Sequence, residues 1–313
     1  SGYMNAEIYT EMQEETKGEF GGLGIEITME NGYIKVISPI DDTPAARAGI
    51  RPGDFITHIN DEGILGLSLQ DTVDKLRGPV GTKLNITVAR LGEQEPLVIT
   101  LKRAIITVQA VKYKPEGNIG YIRLISFSEQ ANKGIKEAIK NLNKEIGHIN
   151  LTGYILDLRN NPGGLLDQST KVTNNFLNSG EIVSIKGRDK KDISRFSASN
   201  GDLAKGKPVI VLINEGSASA SEIVAGALQD HKRATIVGTQ SYGKGSVQTI
   251  FPLKDSSAIR MTTALYFTPS GDSIHKIGIT PDIEVENFYN AEEQVDNQLQ
   301  YALNLLSEEI KIE

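Results

Sequence analysis

The chain has 313 residues and carries 40 acidic against 33 basic side chains, a formal net charge of −7, with 39% hydrophobic and 23% charged residues. At roughly 150 residues per domain this predicts about two domains of ordinary soluble composition, without the basic excess of a general nucleic-acid binder. Cysteine is absent, which excludes disulfides, thiolate zinc sites, iron–sulfur clusters and cysteine nucleophiles; no apolar run reaches the length of a membrane span, and no basic-then-apolar signal pattern opens the sequence.

Residues 1–18 are polar and Glu-rich, with Tyr3, Met4, Ile8, Tyr9 and Met12 at roughly helical spacing, and read as a helical lead-in. From 19 to 103 the texture changes to short apolar runs broken by glycine and proline. Ile25–Ile27, Tyr33–Ile37, Asp54–Ile59 and Leu84–Val88 are predicted strands, rich in β-branched residues. Two helices are expected there. One is short, Thr43 to Ala48, with a threonine cap, proline at the first position and Gly49 as its stop; the other runs from Ser68 to Leu76. The segment 19–103 is therefore a small, mostly β domain.

From 104 to 313 strands and helices alternate. Asn118–Leu124, Gly153–Leu158, Pro208–Ile213 and Ala234–Val237 are predicted strands, with more to follow as far as Phe267. Glu129–Ile146, Gln168–Leu177 and Ala218–Gln229 are predicted helices, and Asn290–Ile310 looks helical. This order predicts an α/β domain with a largely parallel central sheet. The polar segment Asp189–Lys207 is expected to be an exposed loop.

Three loops follow buried strands, where α/β proteins place their sites. The first, Asp157 to Gly164, frees the amides of Gly163 and Gly164 to approach a ligand, or is simply a tight turn. The second, Asn214 to Glu222, sets serines at a helix N-terminus, where free amides favour developing negative charge; Ser219 to Glu222 also spells a capping box. The third, Gly243-Lys244-Gly245, nearly forms a phosphate-binding loop with Gly238, but Gly245 stands where serine or threonine should ligate magnesium, and the β-branched run after it does not suit a helix. A lysine flanked by glycines could instead enter a site and act as a general base if desolvated. The histidines offer a rival base: His231 suits a helix C-terminus, His148 ends a helix, His58 lies in the β domain, and His275 in a loop is not excluded by spacing. No His-Glu-x-x-His or cysteine pair suggests zinc, and no metal or cofactor is expected.

Taken together these loops resemble those of the C-terminal processing peptidases, or tail-specific proteases, which are serine–lysine endopeptidases carrying a PDZ domain. Gly21-Gly22-Leu23-Gly24-Ile25, Pro52-Gly53-Asp54, Leu76-Arg77-Gly78-Pro79, Asp157 to Gly164, Ser217 to Glu222, Tyr242 to Gln248 and Gly278 to Asp282 occur in the expected order. The resemblance implies a crotonase/ClpP-like protease domain at 104–313 and a PDZ domain at 19–103. It further implies Ser219 as nucleophile, Lys244 as general base, and Gln248 as the residue that orients the lysine without adding a charge. Four residues of straight strand span about 13 Å, so Gln248 needs either a bend near Gly245 or converging side chains to reach Lys244. Ala220, with Gly163 or Gly164, would supply the oxyanion hole, and Asp230 a supporting carboxylate. In the PDZ part, Gly22, Leu23, Gly24 and Ile25 would hold the C-terminus of a protein or peptide substrate, and Arg77 would sense it and gate the protease.

By the same resemblance the protein would work outside the cytoplasm in a bacterial envelope, with a possible homodimer in the full-length protein. Full-length members usually begin with a signal or membrane anchor and an N-terminal helical region, and many continue beyond the Leu299–Leu306 helix, so the chain reads as a trimmed form. The competing reading is a catalytically silent PDZ scaffold on a protease-like fold.

Overall fold

The computed structural model describes residues 1–189, 191–199, 201–286 and 296–309, which fall into two units, 1–18 with 109–313 and 19–108.

In the smaller unit the strands Ile25–Glu30, Tyr33–Pro39, Phe55–Ile59, Lys83–Ala89 and Leu97–Lys102 pair antiparallel in that spatial order, with Glu62–Gly63 beside Phe55–Ile59. Lys83–Ala89 shows why: Leu84, Ile86 and Val88 are buried while Lys83 and Asn85 are exposed, the two-residue period of a half-covered strand. The two expected helices form at Pro44–Arg47 and Leu69–Leu76. The second starts on a capping box, in which Ser68 Oγ accepts from the Asp71 N–H at 3.1 Å and the Asp71 carboxylate accepts from the Ser68 N–H at 3.2 Å. Glu19–Gly22 and Ala104–Thr107, not anticipated from sequence, pair as a separate ladder between the first and last segments of this unit. Asp54, 1% exposed, takes a bidentate fork from Arg90 with both contacts at 2.8 Å.

The larger unit is built on a six-stranded sheet in the order Val111–Glu116, Ile119–Leu124, Gly153–Asp157, Val209–Ile213, Thr235–Gly238, Ile283–Glu284. Only its first pair is antiparallel; the other four are parallel. Every residue of Gly153–Asp157 and Val209–Ile213 is buried, as expected of continuous apolar runs in a sheet covered on both faces. Helices Ala131–Ile146, Leu166–Asn174 and Ala220–Asp230 share one core with Leu156, Val211 and Ile213. On the opposite face Ile155, Ile210 and Leu212 pack with Ala302 and Leu306 of the helix Asn297–Glu309. Of the expected helix Asn290–Ile310, residues 290–295 and 310 lie outside the described residues.

A second, antiparallel sheet joins Gly2–Met4, Ser246–Pro252, Ala258–Phe267, Glu181–Gly187 and Ile193–Ser197. It accounts for residues 1–18 belonging to the larger unit. Gly2–Met4 pairs with the Ala258 strand, and the expected lead-in helix follows at Ala6–Lys17, capped by Asn5 and closed by Gly18 in the left-handed conformation. The same sheet corrects the expectation of a loop over Asp189–Lys207, because Ile193–Ser197 is a strand at its edge. Its side chains are almost all exposed, so nothing in its composition separates it from a polar loop; its backbone ladder defines it.

Candidate active site

The three loops come together because they leave the carboxyl ends of three neighbouring parallel strands, Gly153–Asp157, Val209–Ile213 and Thr235–Gly238. The first two are laced to each other. Asn160 and Asn214 exchange hydrogen bonds, N–H to Oδ1 at 2.8 Å and Nδ2 to Oδ1 at 2.9 Å. Ser217 Oγ donates to Leu158 O at 2.8 Å, and the Asn161 carbonyl accepts from the Ala218 N–H at 3.0 Å and Ser221 Oγ at 2.8 Å. Asn161 and Ser221 are fully buried, so these bonds are shielded from competing water.

Ser219 caps the helix Ala220–Asp230 at φ 55°, ψ −111°, a strained backbone for any residue with a Cβ. Gly163, at φ 105°, presses against it: a Cβ built on Gly163 would lie 2.8 Å from Ser219 Cβ and 3.0 Å from the Ala220 nitrogen. The glycine is thus required by a close approach to the serine. The Gly163 N–H is already donated to Asn161 Oδ1 at 2.9 Å, whereas no hydrogen bond of the Gly164 or Ala220 N–H occurs among the described residues.

Glu222 is what the sequence reading undervalued. Seen there only as the far end of a capping box, it is fully buried and binds both the serine loop and the lysine loop. Its Oε2 accepts from the N–H groups of Ser219 at 2.8 Å and Lys244 at 2.9 Å; its Oε1 accepts from the Gly243 N–H and Ser241 Oγ, both at 2.6 Å. Four donors fill both oxygens. Ser241 Oγ in turn accepts from the Ile279 N–H at 2.7 Å.

The main chain of Lys244 is therefore fixed, but its side chain is exposed, so the desolvation that would make the amine a base is not met in this structure. Among the described residues no hydrogen bond joins it to Ser219 or Gln248. The glycines beside it serve the protein itself. A Cβ on Gly245 would meet His275 N at 2.2 Å and one on Gly243 would meet Ile277 N at 3.1 Å, so both are needed to pass the 274–277 segment. Gln248 is exposed on the strand Ser246–Pro252, directly after a register shift between Val247 and Gln248. That strand also removes the helix a phosphate-binding loop would need.

His275 is partly exposed with its Nδ1 enclosed and unpaired among the described residues, and none of its hydrogen bonds there reaches Ser219. Asp230 is exposed at the far end of the serine helix, about 16 Å along the axis from Ser219, where its Oδ2 accepts from the Ser270 N–H at 2.8 Å. No group of three His, Cys, Asp or Glu side chains among the described residues could hold a metal ion.

The sequence reading also missed the ion cluster beneath the glycine loop. Arg159 bridges Asp157 and Asp296 at 2.7 Å each, and Tyr121 donates to Asp157 at 2.7 Å. Burial, then the Asp157 charge, pushes the Tyr121 hydroxyl up. Burial would push Arg159 down, but its bonds to Asp157 and Asp296 outweigh that and hold it above the usual arginine value. Burial would likewise push Asp296 up, but the bond and charge of Arg159 hold it below the usual carboxylate range. With its folded value depressed, the stabilisation from Asp296 is complete above the unfolded value of about 3.9 and lost as pH falls through the lower folded one. Protection of the 297–306 amides, taken relative to their intrinsic exchange rate at each pH, should accordingly hold at pH 5 and fall below about pH 4; unchanged protection down to pH 2 would mean that the ion pair does not hold this helix.

In the smaller unit Leu23, Gly24, Ile25, Val73, Leu76 and Arg77 line a groove of about 140 Å³. Leu23, Ile25, Val73 and Leu76 make it apolar, and Arg77 stands at its edge with its guanidinium 4.4 Å from the centre of the Phe20 ring.

Peptidase family S41 matches residues 118–285, and a PDZ domain matches residues 35–90. A carboxy-terminal-processing protease of Bartonella bacilliformis is 61% identical over 286 residues, covering 91% of this chain and 66% of that protein. A carboxyl-terminal-processing protease of Synechocystis sp. is 39% identical over 315 residues, covering 97% of this chain and 72% of that protein. The solved structure of a photosystem II D1 C-terminal processing protease is similar with a TM-score of 0.55 at 30% identity, over 93% of this chain and 80% of that one. The chain belongs to peptidase family S41. Its smaller unit contains a PDZ domain, and the chain spans about two thirds of the length of the first of these relatives.

Proposed function

We propose that the chain is a serine endopeptidase that cuts protein substrates near their C-termini. The observation that carries this is Glu222, whose single carboxylate oxygen holds the main chain of both Ser219 and Lys244. Ser219 Oγ attacks the scissile carbonyl while its proton passes to Lys244 Nζ, and Gln248 orients the amine. The tetrahedral oxyanion forms beside the N-terminus of the helix Ala220–Asp230. The Ala220 N–H donates to it, joined by Gly164, or by Gly163 once released from Asn161. The intermediate collapses as Lys244 returns its proton to the leaving amine, and water then hydrolyses the acyl-enzyme through the same groups in reverse.

The PDZ domain supplies the reading of chain ends. Leu23 and Gly24 line the groove, so their amides are the candidates to hold a terminal carboxylate, and the peptide adds as a strand alongside Ile25–Glu30. The exposed Lys244 side chain fits a resting state that turns on when the groove is filled, with Arg77 as the group that senses occupancy. A working place outside the cytoplasm belongs to the same reading; among the described residues no helix is long and apolar enough to cross a membrane.

The test is cleavage of casein by the wild type and Lys244→Ala, with and without a peptide bearing an apolar C-terminus. Activity raised by the peptide and absent in the variant is the expected result; activity surviving in Lys244→Ala would remove the lysine from the mechanism and bring His275 forward. Peptide stimulation unchanged in Arg77→Ala would remove the sensor. The exposed lysine also favours the silent-scaffold reading; a wild type inert under every condition would favour it further, or mean that segments outside this chain are needed for activity.

A further inference from the structure

Arg159 has no part in the chemistry proposed for the site, yet it is 7% exposed and all its donors are used. Nε donates to Asp157 Oδ1 at 2.9 Å and Nη2 to Asp157 Oδ2 at 2.7 Å. Nη1 donates to Asp296 Oδ1 at 2.8 Å and Gln298 Oε1 at 3.0 Å, and Nη2 also to Asp296 Oδ2 at 2.7 Å. Those five bonds match the five N–H groups of a guanidinium. Gln298 is itself fully buried and donates through Nε2 to Val285 O at 2.7 Å, and the Leu299 N–H donates to Asp296 Oδ1 at 3.0 Å as the helix Asn297–Glu309 begins. The acceptors on one side of Arg159 thus come from a helix more than 130 residues further along the chain.

From this fork the backbone runs straight into the glycine loop. Asn160 follows at φ 57°, a conformation that asparagine tolerates but that needs restraint from its surroundings. Asn161 then accepts the Gly163 N–H, and Gly163 lies against Ser219. Asp157 satisfies two of the five donors and Gln298 a third. Without Asp296 the other two would be left unpaired in a buried place, which would favour turning the guanidinium toward water and drawing residues 159–161 with it.

We infer that Asp296 is a positioning residue for the Gly163–Gly164 loop, acting through Arg159, so that the helix Asn297–Glu309 sets the placement of the amides beside Ser219. The inference rests on the endopeptidase reading for its effect on turnover, but its structural half stands apart from it. Asp296→Asn keeps the side-chain volume and turns one acceptor into a donor facing Arg159.

The experiment compares the wild type with Asp296→Asn, Arg159→Lys, the double variant and Leu306→Ala. It reads casein cleavage and hydrogen exchange of the 158–165 segment. In Asp296→Asn, kcat should fall on the order of tenfold, short of the 10² to 10³ that follows outright loss of an oxyanion donor, with KM unchanged. Exchange of 158–165 should quicken, and Arg159→Lys should add little to Asp296→Asn, since the two act as one unit. Leu306→Ala loosens the same helix without touching Arg159 and should lower the unfolding midpoint while leaving kcat in place. Equal kcat losses in Leu306→Ala and Asp296→Asn would overturn the inference by reducing the ion pair to general stability, and so would unchanged exchange at 158–165. If the wild type and Ser219→Ala prove equally inert, the endopeptidase reading fails, and exchange alone still decides whether Asp296 holds the loop.

Discussion

Ser219→Ala and Lys244→Ala should each lower kcat by about 10⁶, and the double variant should be no worse than either single one, since a nucleophile and its base act as a unit. Neither change disturbs the local architecture. Ser219 is tied into the site through its N–H to Glu222, which alanine retains, and the Lys244 side chain is exposed. The unfolding midpoint should therefore stay within a degree or two of the wild type. A residual rate in the double variant well below both singles would mean that serine and lysine contribute separately, and would break the proposed proton transfer.

Glu222→Gln is expected to be nearly as damaging to activity and far more damaging to stability. The carboxylate accepts four hydrogen bonds and donates none. An amide in its place must turn its NH₂ either toward the Ser219 and Lys244 N–H groups or toward the Gly243 N–H and Ser241 hydroxyl. The hydroxyl can rotate, but it also accepts from Ile279, and no backbone N–H can rotate at all. One or two buried donors are left facing a donor, at about 1–3 kcal/mol each. The unfolding midpoint should drop on the order of 10 °C, and kcat by at least about 10² as the serine and lysine loops lose their shared anchor. Asp230→Asn is the matched control: the same chemical change on an exposed carboxylate at the other end of the helix, expected to do little to either. A folded, fully active Glu222→Gln would show that the two loops are placed by something else.

The elements that sequence reveals well are those whose burial is continuous or periodic. Val209–Ile213 reads as a strand because all its side chains are apolar, and Lys83–Ala89 because every second one is. Ile193–Ser197 and Glu19–Gly22 escape because their ladders involve the main chain, which composition does not report. The candidate site follows the same division. Ser219, Lys244 and Gly163 are visible as residue types at suggestive spacings, whereas Glu222 and Asn214 work through bonds to backbone groups distant in sequence, and Asn160 through the distant Asn214 side chain. The Arg159–Asp296 pair spans 137 positions, and no local pattern could join its two halves. Lys244 teaches the opposite lesson: the motif left open whether the amine is desolvated, and flanking glycines fix only the path of the main chain and leave the long side chain free to rest in solvent.

The positive φ of Ser219 has a consequence for how this chain tolerates change. At φ 55°, ψ −111° a side chain crowds the backbone, and glycine alone occupies that region at ease. The most stable protein obtainable by changing this one residue is then the one that lacks its hydroxyl. Selection for stability alone would drift toward glycine there, and a search for thermally hardened variants would recover inert ones first. On the proposed mechanism, serine at 219 is a position where robustness is given up for reactivity.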